Sequence, residues 1–274
     1  MKPADSKRPL TILHTNDFHN RLSADKIQRI ANRFRETPDP KLLLDAGDAG
    51  GSSNITFRPA GEPILADMSQ IGYQAMTVGN RDFHVSRVGF RAKVGKAAFP
   101  ILCANIRPTH AKNSDISQDC SDRPLEASTS AGEPNLRSHV VYELDGWRIL
   151  VYGLTVPMVT PTMWERKLSA YVFDPPVRAA AVAIPALRER YKPDFTIALT
   201  HIGLRLDRLL ATSVPGIDLI IGGHSHELLA NGETIGSTLI VQAGSHGRYI
   251  GIVVVEPERS VDSRFTVSAR IEEL

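Results

Sequence analysis

Side chains that can bind metal ions occur in five short motifs along the chain. Each motif follows an apolar run typical of a β-strand, so a loop can present its side chains at the carboxyl edge of a sheet. The motifs are Asn16-Asp17-Phe18-His19, Ala46-Gly47-Asp48-Ala49-Gly50-Gly51, Val78-Gly79-Asn80-Arg81-Asp82, Thr200-His201 and Gly222-Gly223-His224-Ser225-His226. The candidate ligands in them are Asp17, His19, Asp48, Asn80, His201, His224 and His226.

This set combines two carboxylates, one amide oxygen and four imidazoles, without a thiolate. Oxygen and imidazole donors suit Mn²⁺, Fe or Zn²⁺ and argue against a structural zinc site. Alternate residues of an extended segment point the same way, so Asp17 and His19 can share one ion, as can His224 and His226. Seven ligands exceed what one tetrahedral ion needs. They fit two ions about 3.5–4 Å apart, with one carboxylate bridging.

The elements that must position these motifs alternate between strand and helix. Helices are predicted at residues 23–34, 62–71 and 177–191, the first with Ser23 as its N-cap. Strands are predicted at residues 10–15, 41–46, 75–78, 139–143, 148–154, 195–199, 217–221, 237–242, 249–255 and 265–271. The alternation favours parallel pairing, and two separately built sets of strands predict two sheets packed face to face with helices outside.

Two segments fall outside this pattern. Residues 1–9 are short, polar and charged, which predicts a flexible N-terminus without the apolar region of a signal peptide. Residues 107–134 are rich in Ser, Asp, Pro, Ala and Thr and lack periodicity, which predicts a mobile loop.

Composition narrows the possible partners and the compartment. The formal net charge is +2, which argues against a nucleic-acid polymer or an anionic membrane as the partner. No stretch approaches the ~20 apolar residues of a membrane span. The two cysteines, Cys103 and Cys120, are too few for a disulfide framework. Reduced thiols in a cytoplasmic protein are therefore predicted.

The order, spacing and flanks of the motifs resemble one branch of a known family. The matching stretches are ILHTNDFH, DAGDAGGS, IGYQAMTVGN, ALTHIG, IGGHSHE and QAGSHGRYIG, which together span roughly residues 10–256. They resemble the catalytic domain of the 5′-nucleotidase and UDP-sugar hydrolase branch of the calcineurin-like metallophosphoesterases. The resemblance implies a four-layered αββα sandwich, with two mixed sheets and flanking helices.

The resemblance also implies a division of the ligands and a reaction. Asp17, His19 and His226 would bind the first ion, and Asn80, His201 and His224 the second. Asp48 would bridge the two. The implied reaction is hydrolysis of a phosphomonoester or phosphodiester by in-line attack of a metal-bound hydroxide. The partner expected is a small phosphorylated substrate; the sequence leaves the oligomeric state open.

Three positions depart from the family pattern. Arg81 and His84 stand where the family has a His that stabilises the leaving group and the Asp that orients it. We therefore hypothesise that Arg81 holds a phosphate oxygen and that His84 is the general acid. The alternative for His84 is packing or capping of the following helix. Asn20 replaces the usual Gly, and Asn20 and His246 are candidate substrate-binding residues.

The family's nucleotidases carry a second, C-terminal domain that stacks the base. Residues 1–274 are expected to form a single catalytic domain without it, so nucleotide specificity does not follow from the resemblance. Two other functions stay open from the sequence. One is hydrolysis of a sulfur-linked ester at a similar site, and the other is a metal-binding module that has lost catalysis.

Overall fold

A computed structural model describes residues 7–109, 135–258 and 265–274. The strands are β1 (Leu10–Thr15), β2 (Lys41–Asp45), β3 (Ala75–Thr77), β4 (Ile101–Leu102), β5 (Ile106–Pro108), β6 (Leu136–Arg137), β7 (His139–Leu144), β8 (Trp147–Thr155), β9 (Tyr171–Phe173), β10 (Phe195–His201), β11 (Leu219–Ile221), β12 (Glu233–Ile235), β13 (Thr238–Val241), β14 (Tyr249–Pro257) and β15 (Phe265–Glu273). The helices are α1 (Ala24–Glu36), α2 (Pro63–Ile71), α3 (Arg87–Val94), α4 (Pro176–Tyr191) and α5 (Leu204–Ser213), with a 3-10 turn at Trp164–Lys167.

Most of the strands form two mixed sheets. The first has the order β15-β14-β1-β2-β3-β4-β6 and the second the order β12-β13-β11-β10-β8-β7. The central strands β1, β2 and β3 are parallel, as are β8, β10, β11 and β13. Their carboxyl ends therefore lie at one edge of each sheet, where loops can hold a site. A small antiparallel ribbon pairs β5 with β9.

The two sheets pack face to face around a shared apolar core. Side chains such as Ile12 and Leu44 from the first sheet and Ile197 and Leu199 from the second are fully buried in it. The outer face of the first sheet packs on α1, α2 and α3, and that of the second on α4 and α5. The layers run helix, sheet, sheet, helix, which confirms the predicted four-layered αββα sandwich.

Local sequence signals explain two of the elements. Ser23 caps α1, since its hydroxyl accepts the N–H of Lys26. Asp145 and Gly146 both have positive φ, 46° and 82°, and join β7 to β8 as a two-residue hairpin turn. Positive φ at both turn positions matches the twist of the flanking strands, which is why Asp-Gly signals a hairpin.

Several short elements were not predicted. Helices α3 and α5 and the strands β4, β5, β6, β9 and β12 are short, so they carry little periodicity. Arg107 and Pro108, placed by the sequence at the start of the mobile loop, lie in β5. The rest of that loop from residue 110, with Cys120, lies outside the described residues, as do residues 1–6. Lys7, within the predicted flexible N-terminus, pairs with Asp194.

Candidate metal centre

The predicted ligands come from loops at the carboxyl ends of the central strands of both sheets. In the first sheet, Asp17 and His19 follow β1, Asp48 follows β2 and Asn80 follows β3. In the second, His201 ends β10 and both His224 and His226 follow β11. All of these side chains meet where the two sheet edges face each other, and they fall into two neighbouring groups.

The first group consists of Asp17, His19 and His226. Oδ1 of Asp17 lies 3.2 Å from Nε2 of His226 and 3.7 Å from Nε2 of His19. The two Nε2 atoms are themselves 3.1 Å apart. One ligand atom from each residue lies within 4.8 Å of the others, close enough for a single ion to reach all three.

The second group gathers Asn80, His201, His224 and Asp48. Oδ1 of Asn80 lies 2.9 Å from Nδ1 of His224 and 3.2 Å from Nε2 of His201. Nδ1 of His201 lies 2.7 Å from the carbonyl oxygen of Ala46. A carbonyl oxygen only accepts hydrogen bonds, so Nδ1 carries a proton and donates a hydrogen bond to Ala46. Nε2 of His201 is then the nitrogen that would face an ion, once its own proton has left.

Asp48 and Asp17 both offer a link between the groups. Asp48 presents Oδ1 to His201 at 3.5 Å and Oδ2 to His19 at 3.9 Å. Asp17 also forms a three-residue group with Asp48 and His201. However, Oδ2 of Asp17 accepts from Asn16 at 2.8 Å and from the N–H of His224 at 3.0 Å. Oδ1 of Asp48 is engaged as well, since it accepts the N–H of Arg81 at 2.6 Å. The two carboxylates differ in that the oxygens of Asp48 face one histidine of each group.

One buried atom tests whether these residues fit a cation. Oδ1 of Asp17 is buried and has no hydrogen-bond partner among the described residues. A buried carboxylate oxygen without a partner is costly, and a cation bound to it would remove that cost. Imidazole nitrogens of His19 and His226 face the same oxygen. The donor set and this orphaned oxygen together fit divalent ions.

The electrostatics show how strongly the centre favours positive charge. Burial by itself would lower the pKa of His201, but the charges of Asp48 and Asp17 and the hydrogen bonds raise it to about 9. Burial would raise the pKa of Asp48, but His201 and the N–H of Arg81 hold it below its usual value. The two carboxylates therefore favour a positive charge at this place, which a proton on His201 or a bound cation can supply.

The backbone of the centre is held in a conformation that L-residues rarely adopt. Positive φ angles occur at nine described non-glycine residues, and seven of them are at or beside the centre. These are Asp17, His19, Asn20, Asp48, His224, His226 and His246. Left-handed backbone costs about 1–2 kcal/mol per residue, least for Asn and Asp. Such clustered strain is typical of a functional site and was not predicted from the sequence.

Asp82 anchors two of the ligand loops to each other. Its Oδ2 accepts the N–H groups of Asp48 at 2.7 Å and Gly79 at 3.0 Å, and its Oδ1 accepts that of Gly50 at 3.0 Å. Burial and the charge of Asp48 raise its pKa to about 6. Asp82 therefore supports the loops after β2 and β3.

Asn16 ties the first ligand loop to the loop after β13. Its amide nitrogen donates to Oδ2 of Asp17 at 2.8 Å and to the carbonyl of Gly244 at 2.6 Å. Its amide oxygen accepts the N–H of Ala243 at 2.9 Å. Sequence reasoning missed this role, although Asn16 directly precedes a candidate ligand in its motif.

Lys93, also missed, is a buried cation behind the centre. Its ammonium donates to the carbonyl oxygens of Arg81 at 2.6 Å and Ser53 at 2.8 Å. Burial lowers its pKa, and nearby carboxylates, Asp82 first, oppose that shift. Lys93 lies on α3 and thereby joins the loop after β2 to the loop after β3. Its position within the helix offered no signal from the sequence.

Arg81 and His84 both lie in the loop after β3, but their side chains are in different environments. The N–H of Arg81 donates to Oδ1 of Asp48 at 2.6 Å, while its side chain is exposed beside the centre. His84 is buried, and its Nδ1 accepts the N–H of Ser86, the N-cap of α3, at 3.0 Å. This contact corresponds to the capping role considered for His84. It leaves Nε2 as the ring nitrogen that carries the proton.

Asn20 and His246 both lie beside the first group. Asn20 is exposed, and its N–H donates to the carbonyl of Ala49 at 2.9 Å. The ring centroid of His246 is 5.4 Å from that of His19 and 5.8 Å from that of His226. Its N–H donates to the carbonyl of Asp17 at 2.7 Å. Both residues are thus neighbours of His19.

The fold and the centre are those of a metal-dependent phosphoesterase. The profile of the calcineurin-like phosphoesterase family matches residues 10–228, and the chain belongs to this family. The family hydrolyses phosphoester bonds with divalent metal ions, which confirms the enzyme class predicted from the motifs. The resemblance to the 5′-nucleotidase branch is confirmed by the relatives described next.

Similar proteins come from several bacteria. The trifunctional nucleotide phosphoesterase YfkN of Bacillus subtilis is 32% identical over 276 residues, which cover 92% of this chain and 18% of YfkN. A 5′-nucleotidase of Vibrio vulnificus is 27% identical, over 90% of this chain and 49% of the relative. A crystal structure of YfkN has a TM-score of 0.72 at 22% identity, over 97% of this chain and 91% of that one.

The chain spans about half the length of the Vibrio relative and less than a fifth of YfkN. The likeness to the solved structure, at 22% identity, shows the fold. Among the helices within residues 7–109, 135–258 and 265–274, none combines the length and apolarity that crossing a bilayer requires.

Proposed function

We propose that the chain is a dinuclear-metal hydrolase of a phosphomonoester or phosphodiester, with 5′-nucleotidase-like chemistry. The observation that carries this proposal is the convergence of seven ligand side chains from both sheets in two adjoining groups. The first group includes the buried Oδ1 of Asp17, which has no hydrogen-bond partner among the described residues. One ion needs fewer ligands than this, and the two adjoining groups supply enough for two.

In this proposal Asp17, His19 and His226 hold the first ion, and Asn80, His201 and His224 hold the second. Asp48 is shared, because its two oxygens face His201 and His19 separately. Mn²⁺, Fe or Zn²⁺ suits these donors. When bound, the ions would acidify the attacking water and neutralise charge on the phosphoryl group.

The residues of the chain orient this chemistry. The carbonyl of Ala46 holds His201 with Nε2 towards Asn80 and Asp48, and Asp82 holds the N–H of Asp48. The exposed Arg81 guanidinium is proposed to bind a non-bridging phosphate oxygen. His84 could donate a proton to the leaving group only through Nε2, because Nδ1 is occupied by the N–H of Ser86. Asn20 and His246 are proposed to contact the substrate.

The substrate proposed is a small phosphorylated molecule. The relatives named as nucleotidases and nucleotide phosphoesterases support a nucleotide as the first compound to test. The described part of the chain is proposed to act as one catalytic unit, since both sheets contribute to its core and to its centre. The cytoplasmic location stays a prediction.

Metal loading followed by elemental analysis and an assay of phosphate release tests the proposal. Close to two Mn²⁺ per chain and turnover of p-nitrophenyl phosphate are expected. The His201→Ala variant should bind less metal, whereas His139→Ala, which changes a histidine on β7, should bind as much as the unmodified chain. A single tightly held ion, with metal content unchanged in His201→Ala, would contradict the dinuclear centre.

A further inference from the structure

A cavity of about 280 Å³ opens beside the metal centre and is lined by Arg21, Lys26, His246 and Arg248. Three of these side chains carry a permanent positive charge. The proposed reaction does not use any of the three. Because the whole chain has a formal net charge of only +2, this concentration of cations is a local feature of the surface.

The three cations have no acidic partners among residues 7–109, 135–258 and 265–274. Lys26 donates to the carbonyl of His246 at 2.8 Å, and Arg248 donates to the carbonyl of Ser245 at 3.4 Å. No ion pair within these ranges includes Arg21, Lys26 or Arg248. Elsewhere on the surface, exposed cations do pair, as Arg29 does with Asp25 at 2.9 Å.

Placing three cations around one cavity is unfavourable for the folded protein. Like charges that share one cavity repel each other. Lys26 lies in the first turn of α1, where the positive end of the helix dipole disfavours a cation. An anion bound in the cavity would relieve both effects. Arginine in particular binds phosphate through two parallel hydrogen bonds.

The cavity adjoins the first metal-binding group through one side chain. His246 lines the cavity, and its ring centroid is 5.4 Å from that of His19. Arg21 lies on the same loop as Asp17 and His19, so the loop that supplies the first ligands also supplies a wall of the cavity. A molecule with one anionic group at the metal centre could place a second anionic group in this cavity. The two groups would then be separated by roughly the width of the His246 ring.

We infer that Arg21, Lys26 and Arg248 form a subsite for a second phosphoryl group on the substrate. The inference rests on the proposed function, because it assumes that the first phosphoryl group is bound at the metal centre. It predicts a preference for substrates that carry two separated phosphoryl groups over substrates that carry one.

The test uses a series of alkanediol bisphosphates with two to six carbons and the matching monophosphates, which share the same leaving-group chain. Initial rates of phosphate release are measured with the Mn²⁺-loaded protein. At least one bisphosphate should exceed its monophosphate in kcat/KM by about tenfold or more, the value of one or two charge-assisted hydrogen bonds. In the double variant Arg21→Gln, Arg248→Gln, this ratio should fall to about two, which is the statistical factor for two equivalent phosphoryl groups on one molecule.

Arg29→Gln is the control. It removes an exposed arginine of α1, the helix that carries Lys26, and this arginine does not line the cavity. The inference is overturned if no bisphosphate in the series is preferred. It is also overturned if the preference survives the double variant or falls equally in the control. Phosphate release from the monophosphates tests the proposed function separately. If the monophosphates are not hydrolysed, calorimetric titration with the same bisphosphates still reports whether the cations bind the second group.

Discussion

The carboxylate of Asp82 accepts the backbone N–H of Asp48 at 2.7 Å, so one buried side chain fixes the position of the proposed bridging ligand. The same carboxylate accepts the N–H of Gly79, next to the ligand Asn80. Two ligands from different strands thus depend on one hydrogen-bond acceptor. Neighbouring groups of this kind commonly change metal affinity or activity when they are altered.

Asp82→Asn should therefore weaken the centre without removing a ligand. The amide places a donor where N–H groups of the backbone already point, so at least one hydrogen bond is lost. Mn²⁺ affinity or kcat should fall about 10–100-fold. Calorimetric titration with Mn²⁺ and a phosphatase assay measure the two effects. Asp25→Asn, at an exposed carboxylate of α1, is the control, and equal behaviour of the two variants would refute the anchoring role.

Asp48→Asn should remove nearly all activity and reduce the retained metal, because the amide has one oxygen and cannot link both groups as a carboxylate does. Asp45→Asn should have little effect. Burial raises the pKa of Asp45. Its oxygens accept the hydroxyl of Thr15 and the N–H of Gly47 and do not contact a candidate ligand side chain. Elemental analysis and kcat/KM measure both variants. Similar losses in the two would show that Asp45 also serves the centre.

The proposed roles of Arg81 and His84 should be distinguishable by comparing phosphate esters with different leaving groups. Arg81→Ala should slow nucleoside monophosphates and p-nitrophenyl phosphate alike, since it is proposed to bind a phosphoryl oxygen in both. His84→Asn keeps an acceptor near the Nδ1 position for the N–H of Ser86 and removes the titratable proton. If His84 is the acid, the alkyl ester should slow by about 10²–10⁴-fold while the nitrophenyl ester changes little. Small, equal effects on both esters would leave His84 as a cap of α3.

Asp207 should make stability depend on pH. It is fully buried, its Oδ1 accepts the hydroxyl of Thr200 at 2.6 Å, and burial raises its pKa to about 7. Since the folded-state pKa lies above the unfolded value, the folded protein holds the additional proton between about pH 4 and pH 7. The contribution of Asp207 to stability is present at low pH and declines as pH rises through this range, at up to about 1.4 kcal/mol per pH unit.

Asp207→Asn should remove this decline, because the amide mimics the protonated acid at every pH. Urea unfolding of the metal-free protein at several values between pH 4 and pH 8 measures the difference. Relative to the unmodified chain, the variant should gain stability as pH rises to about 7 and then level off. Asp25→Asn again serves as an exposed control, and parallel curves for Asp207→Asn and the unmodified chain would contradict the prediction.

The αββα layers and the meeting of the candidate ligands at one place could be predicted from residue order, because every ligand motif follows an apolar strand. Asp17, Asp48 and Asn80 each come directly after a predicted strand, and parallel strands bring such positions to one edge. The resemblance to a known family added the division of ligands between two ions. The short helix α3 and strand β5 were not predictable, because segments of this length carry too little periodicity and depend on tertiary packing.

The support of the centre and the cationic cavity depend on contacts that residue order does not encode. Lys93 reads as one polar residue in a short helix, yet packing buries its ammonium against the carbonyl of Arg81. Arg21 and Arg248 are separated by more than two hundred residues and meet only because β1 and β14 pair side by side. Local sequence selects strands, turns and ligand types by short-range physical preferences. The tertiary structure alone decides which distant charges share one space, because that depends on sheet order and on the packing of loops.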